Sequence, residues 1–200
     1  MKKALVLAVT FVMVLMTACG VSEKDKAMVR GTVENGVFTS EFAGFKFAPP
    51  ETWTYASDEE ILAQMNLTAE DMDTAEKAQY ELGKQKTIMD AMVVDETGAN
   101  VIVMYENLAL TIGGTKYDEK AYGDVLKEQS EASGFTEFAE SSVKIGDNEY
   151  YVLECTSSLE GYTMKQHMLL RKIDNYMCAI AITTIPDLTA TYDDIIKMFS

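Results

Sequence analysis

The sequence predicts an α+β domain: an antiparallel sheet of about six strands with helices on both faces. Three observations lead there. Most of the strand-like segments are joined by turns of two or three residues. Such turns force antiparallel neighbours, because a parallel pair needs a crossover of a dozen or more residues. At least one strand, around Val101-Ile102-Val103-Met104-Tyr105, is apolar at consecutive positions, which is the mark of a strand covered on both sides. Three or four segments repeat apolar residues at helical spacing.

The first element is not part of that domain. Lys2 and Lys3 precede a run from Ala4 to Ala18 that is apolar except for Thr10 and Thr17. The run falls short of the ~20 residues that span a bilayer and fits the apolar stretch of a secretory signal. It ends in Met16-Thr17-Ala18-Cys19-Gly20. This stretch resembles the lipobox of bacterial lipoproteins, with Met16 where that family usually has Leu. The resemblance implies diacylglycerol on the Cys19 thiol and cleavage just before it. Residues 1–18 are then a signal peptide, 19–30 a lipidated tether and 31–200 a single domain. The expected location is the extracytoplasmic face of the cell membrane. Two acyl chains hold a protein stably where one holds it marginally. The tether from Gly20 to Arg30 reaches at most ~35 Å at ~3.3 Å per residue, so the domain sits close to the membrane.

The chain carries 17 basic and 32 acidic residues, a net charge of −15. Loss of Lys2 and Lys3 with the signal makes the remainder more acidic still. Such a surface repels nucleic acid and anionic headgroups. No nucleic-acid partner is expected, and membrane contact falls to the lipid.

Gly31 to Phe38 and Ser40 to Ala48 predict an opening β-hairpin, with Asn35-Gly36 as a turn dipeptide and Phe45 and Phe47 alternating with polar residues. Pro49-Pro50 ends it, and Trp53 and Tyr55 lie in a short extended stretch. Ser57 to Glu60 has the capping-box pattern, with Ile61, Leu62 and Met65 following on one helical face. Thr68 to Asp71 repeats the pattern ahead of a helix ending near Gly83. Thr87 to Asp95 and Asn100 to Leu108 are strands around a Glu96-Thr97-Gly98 turn. Asp118 to Ser133 is a helix with Ala121, Tyr122, Val125, Leu126 and Ala132 inward and Gly134 at its C′ position. A meander follows: Phe135 to Ile145, Glu149 to Ser158, Tyr162 to Lys172 and Tyr176 to Thr184. Pro186 breaks the last strand. Leu188, Tyr192, Ile195, Ile196 and Phe199 then form a helical stripe.

The meander decides the state of Cys155 and Cys178. Its turns pair Cys155 with a residue near Met164 and Cys178 with one near Arg171, on either side of one strand. That separates the cysteines by ~9.5 Å laterally, beyond the ~7 Å between Cα atoms that a disulfide bridges. Both are expected free.

The segment Phe42-Ala43-Gly44-Phe45-Lys46-Phe47-Ala48-Pro49-Pro50-Glu51-Thr52-Trp53, with the acidic helix start at Ser57, resembles exported proteins with a PsbP-like α/β/α fold and uncharacterised lipoproteins of Gram-positive bacteria. Thr52 stands where that pattern usually has Gly. The resemblance implies a fold and a cell-surface location and brings no catalytic residues.

The chemistry-bearing residues are sparse. His167 is the single histidine, so multi-histidine metal sites are excluded, and its place inside a strand reads as an exposed or cross-strand residue. Asp71 and Asp73 match the start of an EF-hand loop, but Ala75 falls at the third ligand position and Glu76 where Gly is required. The acids from Asp58 to Glu76 therefore read as helix caps and solubilising charge. Ile112-Gly113-Gly114-Thr115 lacks the lysine spacing of a phosphate loop. Met89, Met92, Met164 and Met168 could ligate copper through thioethers, but read as gap-filling core. No metal and no cofactor is expected. Trp53, Tyr55, Phe45 and Phe47 are the candidate recognition surface, since aromatics are enriched in binding hot spots. The expected function is a non-catalytic interaction or accessory module with an unknown protein partner. The alternatives are a small-molecule-binding lipoprotein with a pocket between sheet and helix, and a hydrolase using two carboxylates.

Overall fold

The computed structural model describes residues 28–57, 59–61, 85–159 and 161–200. The signal peptide, Cys19, most of the tether and the helix expected from Thr68 to Gly83 lie outside them.

Two antiparallel sheets make the domain. The smaller joins β1 (Thr32–Glu34), β2 (Val37–Ser40) and β3 (Phe45–Phe47) in that order. The larger has seven strands: β4 (Thr54–Tyr55), β5 (Thr87–Val94), β6 (Asn100–Asn107), β7 (Thr136–Ile145), β8 (Asn148–Leu159), β9 (Tyr162–Ile173) and β10 (Tyr176–Thr184), in the order β4-β5-β6-β10-β9-β8-β7. The antiparallel α+β class expected from the short turns is present. The count of about six strands in one sheet is corrected, because the opening segment folds into a three-stranded sheet of its own. Asn35 and Gly36 both take positive φ (50° and 77°), the geometry that joins two strands in two residues with the right twist. A second reversal at Glu41–Gly44 adds the third strand.

Alternation along the central strands splits the interior in two. Val101, Val103 and Tyr105 of β6, with Cys178, Ile180 and Ile182 of β10, face a cluster built with Phe38, Phe45, Phe47, Trp53 and Phe199. Ile102 and Met104 of β6, with Met177, Ala179 and Ala181 of β10, face the opposite cluster. That cluster is closed by Tyr122 and Leu126 of helix α1 (Glu119–Ala132).

Helix α1 begins at the expected end of the segment, where the Asp118 carboxylate caps it by accepting from Ala121 N–H at 2.8 Å. Gly123 lies against the Tyr151 ring, where a Cβ would stand 2.6 Å from Cε1, so a side chain here would lift the helix off β8. Ala132, expected inward, is exposed. The capping box is also present: Ser57 N–H donates to Glu60 Oε2 at 2.8 Å, and Glu60 N–H to Ser57 Oγ at 3.3 Å.

The C-terminal stripe does not form one helix. Helix α2 covers only Tyr192–Ile196, and Leu188 is 52% exposed. Phe199 instead pairs with Phe47 across an isolated bridge, with Lys46 and Ser200 exchanging backbone hydrogen bonds of 2.7 and 3.0 Å. Completing the edge of the small sheet prevails over helical periodicity in this segment.

Cys155 and Cys178 are free and buried. Cys178 lies opposite Arg171 as expected, but Cys155 lies opposite Gln166, two residues beyond Met164. The cause is a two-residue connection between Leu159 and Tyr162 in place of a longer turn. The two thiols also face opposite clusters.

Candidate functional site

The aromatic residues expected to form a recognition surface do not form one. Phe45, Phe47 and Trp53 are 3%, 1% and 8% exposed. Their rings stack on one another and on Phe199 at centroid distances of 4.5–6.3 Å. They close the core. Tyr55 alone is half-buried, its hydroxyl donating to Gly36 O at 3.2 Å. Met92, Met164 and Met168 are likewise buried and fill the core.

The site that the fold does assemble is centred on His167. It forms where the apolar row on one sheet face gives way to polar residues near the strand ends. Val152 and Leu169, a cross-strand pair, belong to the core cluster. Two residues further along the same face come Glu154 and His167, again directly paired. Lys165 follows on the same face of β9, because side chains alternate with period two. The chain leaving β10 folds back over this row. Pro186 ends the strand, and Thr189 Oγ accepts from Ile185 N–H at 3.0 Å. Thr191 caps α2 by accepting from Asp194 N–H at 3.3 Å. The result is a cleft of about 290 Å³ between the sheet and residues 184–193. Glu154, Lys165, His167, Tyr192, Asp187 and Asp193 provide its charged and aromatic lining.

The geometry at its floor is specific. His167 Nε2 donates to Glu154 Oε2 at 3.2 Å, and Lys165 Nζ donates to Glu154 Oε1 at 2.9 Å. The imidazole stacks on the Tyr192 ring at 3.9 Å and 11°. The His167 side chain is 8% exposed, and its Nδ1 has no hydrogen-bond partner. Burial holds the imidazole pKa below its usual value although Glu154 pulls the other way, so the ring is neutral near pH 7. Lys165 holds the Glu154 carboxyl below the ordinary carboxylate range, His167 adding to it. Burial pushes the Tyr192 phenol up to about 12.

These values decide what the cleft can do. Glu154 stays ionised and is a poor general acid. Two threonine hydroxyls of the lining are engaged: Thr189 with the Ile185 and Ala190 carbonyls, Thr191 with Asp194. A Ser-His-Asp type relay needs a nucleophile in hydrogen-bond reach of the imidazole, and Nδ1 has none among the described residues.

Of the two sequence readings of His167, exposed or cross-strand, the second holds, opposite Glu154, and the first does not, the side chain being 8% exposed. The signal was there: His167, Leu169 and Arg171 alternate with Met168 and Leu170, so the strand is covered on both faces. Opposing Glu154 to His167 required the two-residue turn.

A second charged group is buried on the other face. Glu106 accepts from Tyr122 OH at 2.6 Å and from Thr111 Oγ at 2.9 Å, and Lys86 Nζ lies 3.8 Å away. On β5, Asp90 bulges out of the β5–β6 register and accepts Gly31 N–H at 3.0 Å on both oxygens, tying the chain ahead of β1 to the large sheet.

No protein-family model and no curated protein matches this chain in sequence. Among solved structures it is similar to a protein from Bacteroides thetaiotaomicron, at 15% identity and a TM-score of 0.45 over 84% of this chain and 48% of that one. The chain thus spans about half the length of that protein. It is also similar to LpqN, involved in cell envelope biogenesis of Mycobacterium tuberculosis, at 10% identity and a TM-score of 0.40 over 78% of this chain and 79% of that one.

Proposed function

We propose that this chain is a lipid-anchored, extracytoplasmic, non-catalytic binding protein whose His167 cleft takes a small organic cation. Cys19 carries the diacylglycerol, and the short tether keeps the cleft near the membrane. The observation that carries the binding reading is His167: a side chain almost fully withdrawn from water, with one nitrogen unpartnered, in the floor of a cleft. Unsatisfied buried polar groups are costly and cluster where function retains them. The charge of the lining selects the ligand. Glu154, Asp187 and Asp193 stand against Lys165 alone, so a protonated amine gains most. Among the described residues no three His, Cys, Asp or Glu side chains are grouped to hold a metal ion, which favours an organic cation.

The interaction module expected from Trp53 and its neighbours loses its surface to the core, and the pocket between sheet and helix takes its place. The finer layering, a PsbP-like sandwich with helices on both faces, belongs to the same proposal. It is supported by Tyr122 and Leu126 of α1 in one cluster and Ile195 of α2 in the other.

The test is a thermal-shift series on the detergent-solubilised full chain with ethylamine, choline and putrescine. A ligand at a hundred times its Kd stabilises by ~2.7 kcal/mol, so at least one amine raises Tm and Glu154→Gln removes the rise. If no amine moves Tm, the cation reading fails. The anchor is tested separately by labelled palmitate, which the native chain incorporates and Cys19→Ala does not; equal labelling of both overturns it.

A further inference from the structure

We propose that two copies of this chain pair edge to edge through β7, in antiparallel register about a two-fold axis at Ser142. β7 is the last strand of the large sheet and pairs only with β8 among the described residues. Most of its side chains are exposed. Alternate residues of an antiparallel strand point N–H and C=O away from the partner already bound, so β7 presents a row of backbone groups with no strand partner among the described residues. Proteins blunt such an edge with proline, a cover, a short strand, a bulge or charged side chains. This one has ten residues and no proline, its bulge is confined to one end, and its charges beyond that bulge, Glu140 and Lys144, are of opposite sign.

The second copy is chosen as occupant because β7 complements itself. The bulge between Thr136 and Ala139, with Glu137 at φ 55°, ends the regular ladder on one side. The β8 turn ends it at Ile145. The uninterrupted stretch is therefore Ala139 to Ile145, and its midpoint is Ser142. A two-fold axis there sets Ala139 opposite the second copy's Ile145, Ser141 opposite Val143, and Glu140 opposite Lys144. The charge pair occurs twice. Opposite charges directly across an antiparallel pair are stabilising and like charges destabilising. The register that uses the whole regular stretch is thus also the register that pairs its charges. Glu140, Ser142 and Lys144 share the sheet face that carries α1, where Glu140 already lies 3.4 Å from Lys120. Ile145 and Val143 remain on the core side. The pairing is short and the chain is strongly acidic, so association in dilute solution is weak. Copies confined to one membrane meet at higher effective concentration.

The experiment uses the full chain in bacterial membranes, with the unaltered protein as baseline. Ser142→Cys places a thiol on the axis, opposite its own counterpart, and oxidation yields a dimer band that reductant reverses. Ala139→Cys, equally exposed but distant from its counterpart in this register, stays at baseline. In the Ser142→Cys background, Glu140→Lys or Lys144→Glu lowers the dimer yield about ten-fold by setting like charges opposite. The double swap Glu140→Lys with Lys144→Glu restores it. A fold damaged by charge reversal would not be rescued by the second reversal. Equal crosslinking of Ser142→Cys and Ala139→Cys, or no rescue by the swap, overturns the proposal.

Discussion

Glu106 and Glu154 are both withdrawn carboxylates on the large sheet, on opposite faces and toward opposite ends of it, and they are provided for differently. Glu106 has Tyr122, Thr111 and Lys86 around it, and both it and Lys86 are 9% exposed. Glu154 has Lys165 and His167, is 31% exposed, and the imidazole beside it keeps a nitrogen without a partner. A buried charge whose partners are complete is part of the structure, and its loss is paid in stability. A charge whose partners are half-exposed or incomplete contributes less to folding and leaves room for a ligand. The difference is physical: inside the protein an unpaired charge has no water to turn to, whereas at a cleft it has.

The comparison breaks most visibly at Glu106. Glu106→Ala removes the buried carboxylate that accepts from Tyr122 and Thr111 and faces Lys86, and removal of one member of such a buried group costs ~3–5 kcal/mol. For a chain of this size that lowers Tm by on the order of 10 °C. Differential scanning calorimetry reads it, and a loss within the range of ordinary surface substitutions would show that Glu106 is not held as described.

At the cleft the sign should differ. His167→Phe keeps the flat ring against Tyr192 and removes the orphan nitrogen, so stability in urea changes by less than ~1 kcal/mol, while the amine-induced rise in Tm is lost. The native chain also carries a pH signature there. The imidazole pKa is lowered in the fold from 6.5, so the neutral ring's contribution is complete above that value and is lost as pH falls through the lowered one. The lowered Glu154 carboxyl adds a second loss, present above its ordinary 4.5 and disappearing as pH falls through its own folded value. Tm measured from pH 7 to pH 4 therefore falls in the native chain, and falls less in His167→Phe over the upper part of the window. Parallel curves would remove His167 from the explanation.

The smallest effect is expected at Lys165. Its side chain is 44% exposed, and exposed ion pairs contribute ~0–1 kcal/mol. Lys165→Met leaves stability nearly unchanged but makes the cleft more negative, and the Tm rise with amines grows. A smaller rise would mean that Lys165 itself contacts the ligand.

Much of the fold was legible because it is governed by local chemistry. Ser57 announces a helix start through its side-chain oxygen and Glu60 three residues on. Asn35-Gly36 and the short turns announce reversals through the backbone angles that few residues tolerate. The alternation on β6 and β10 announces a sheet covered on both sides. The failures share a cause as well. The aromatic row from Phe45 to Trp53 looks the same in sequence whether it is core or contact surface. The stripe from Leu188 to Phe199 has helical spacing, yet Phe199 gains more by pairing with Phe47.

Residue types and turn lengths by themselves determined the antiparallel α+β class, the helix caps, the free thiols and the expectation of an export signal ending at Cys19. Those depend on neighbours a few residues apart. Tertiary structure decided which face each strand presents, and that depends on register. The pairing of Leu159 directly with Tyr162 sets Cys155 against Gln166 and Glu154 against His167. The return of the chain after Pro186 then stacks Tyr192 on that imidazole and closes the cleft. A one-residue change in register would turn each of these side chains to the other face, which is why the site belongs to the assembled sheet and not to any segment of the chain.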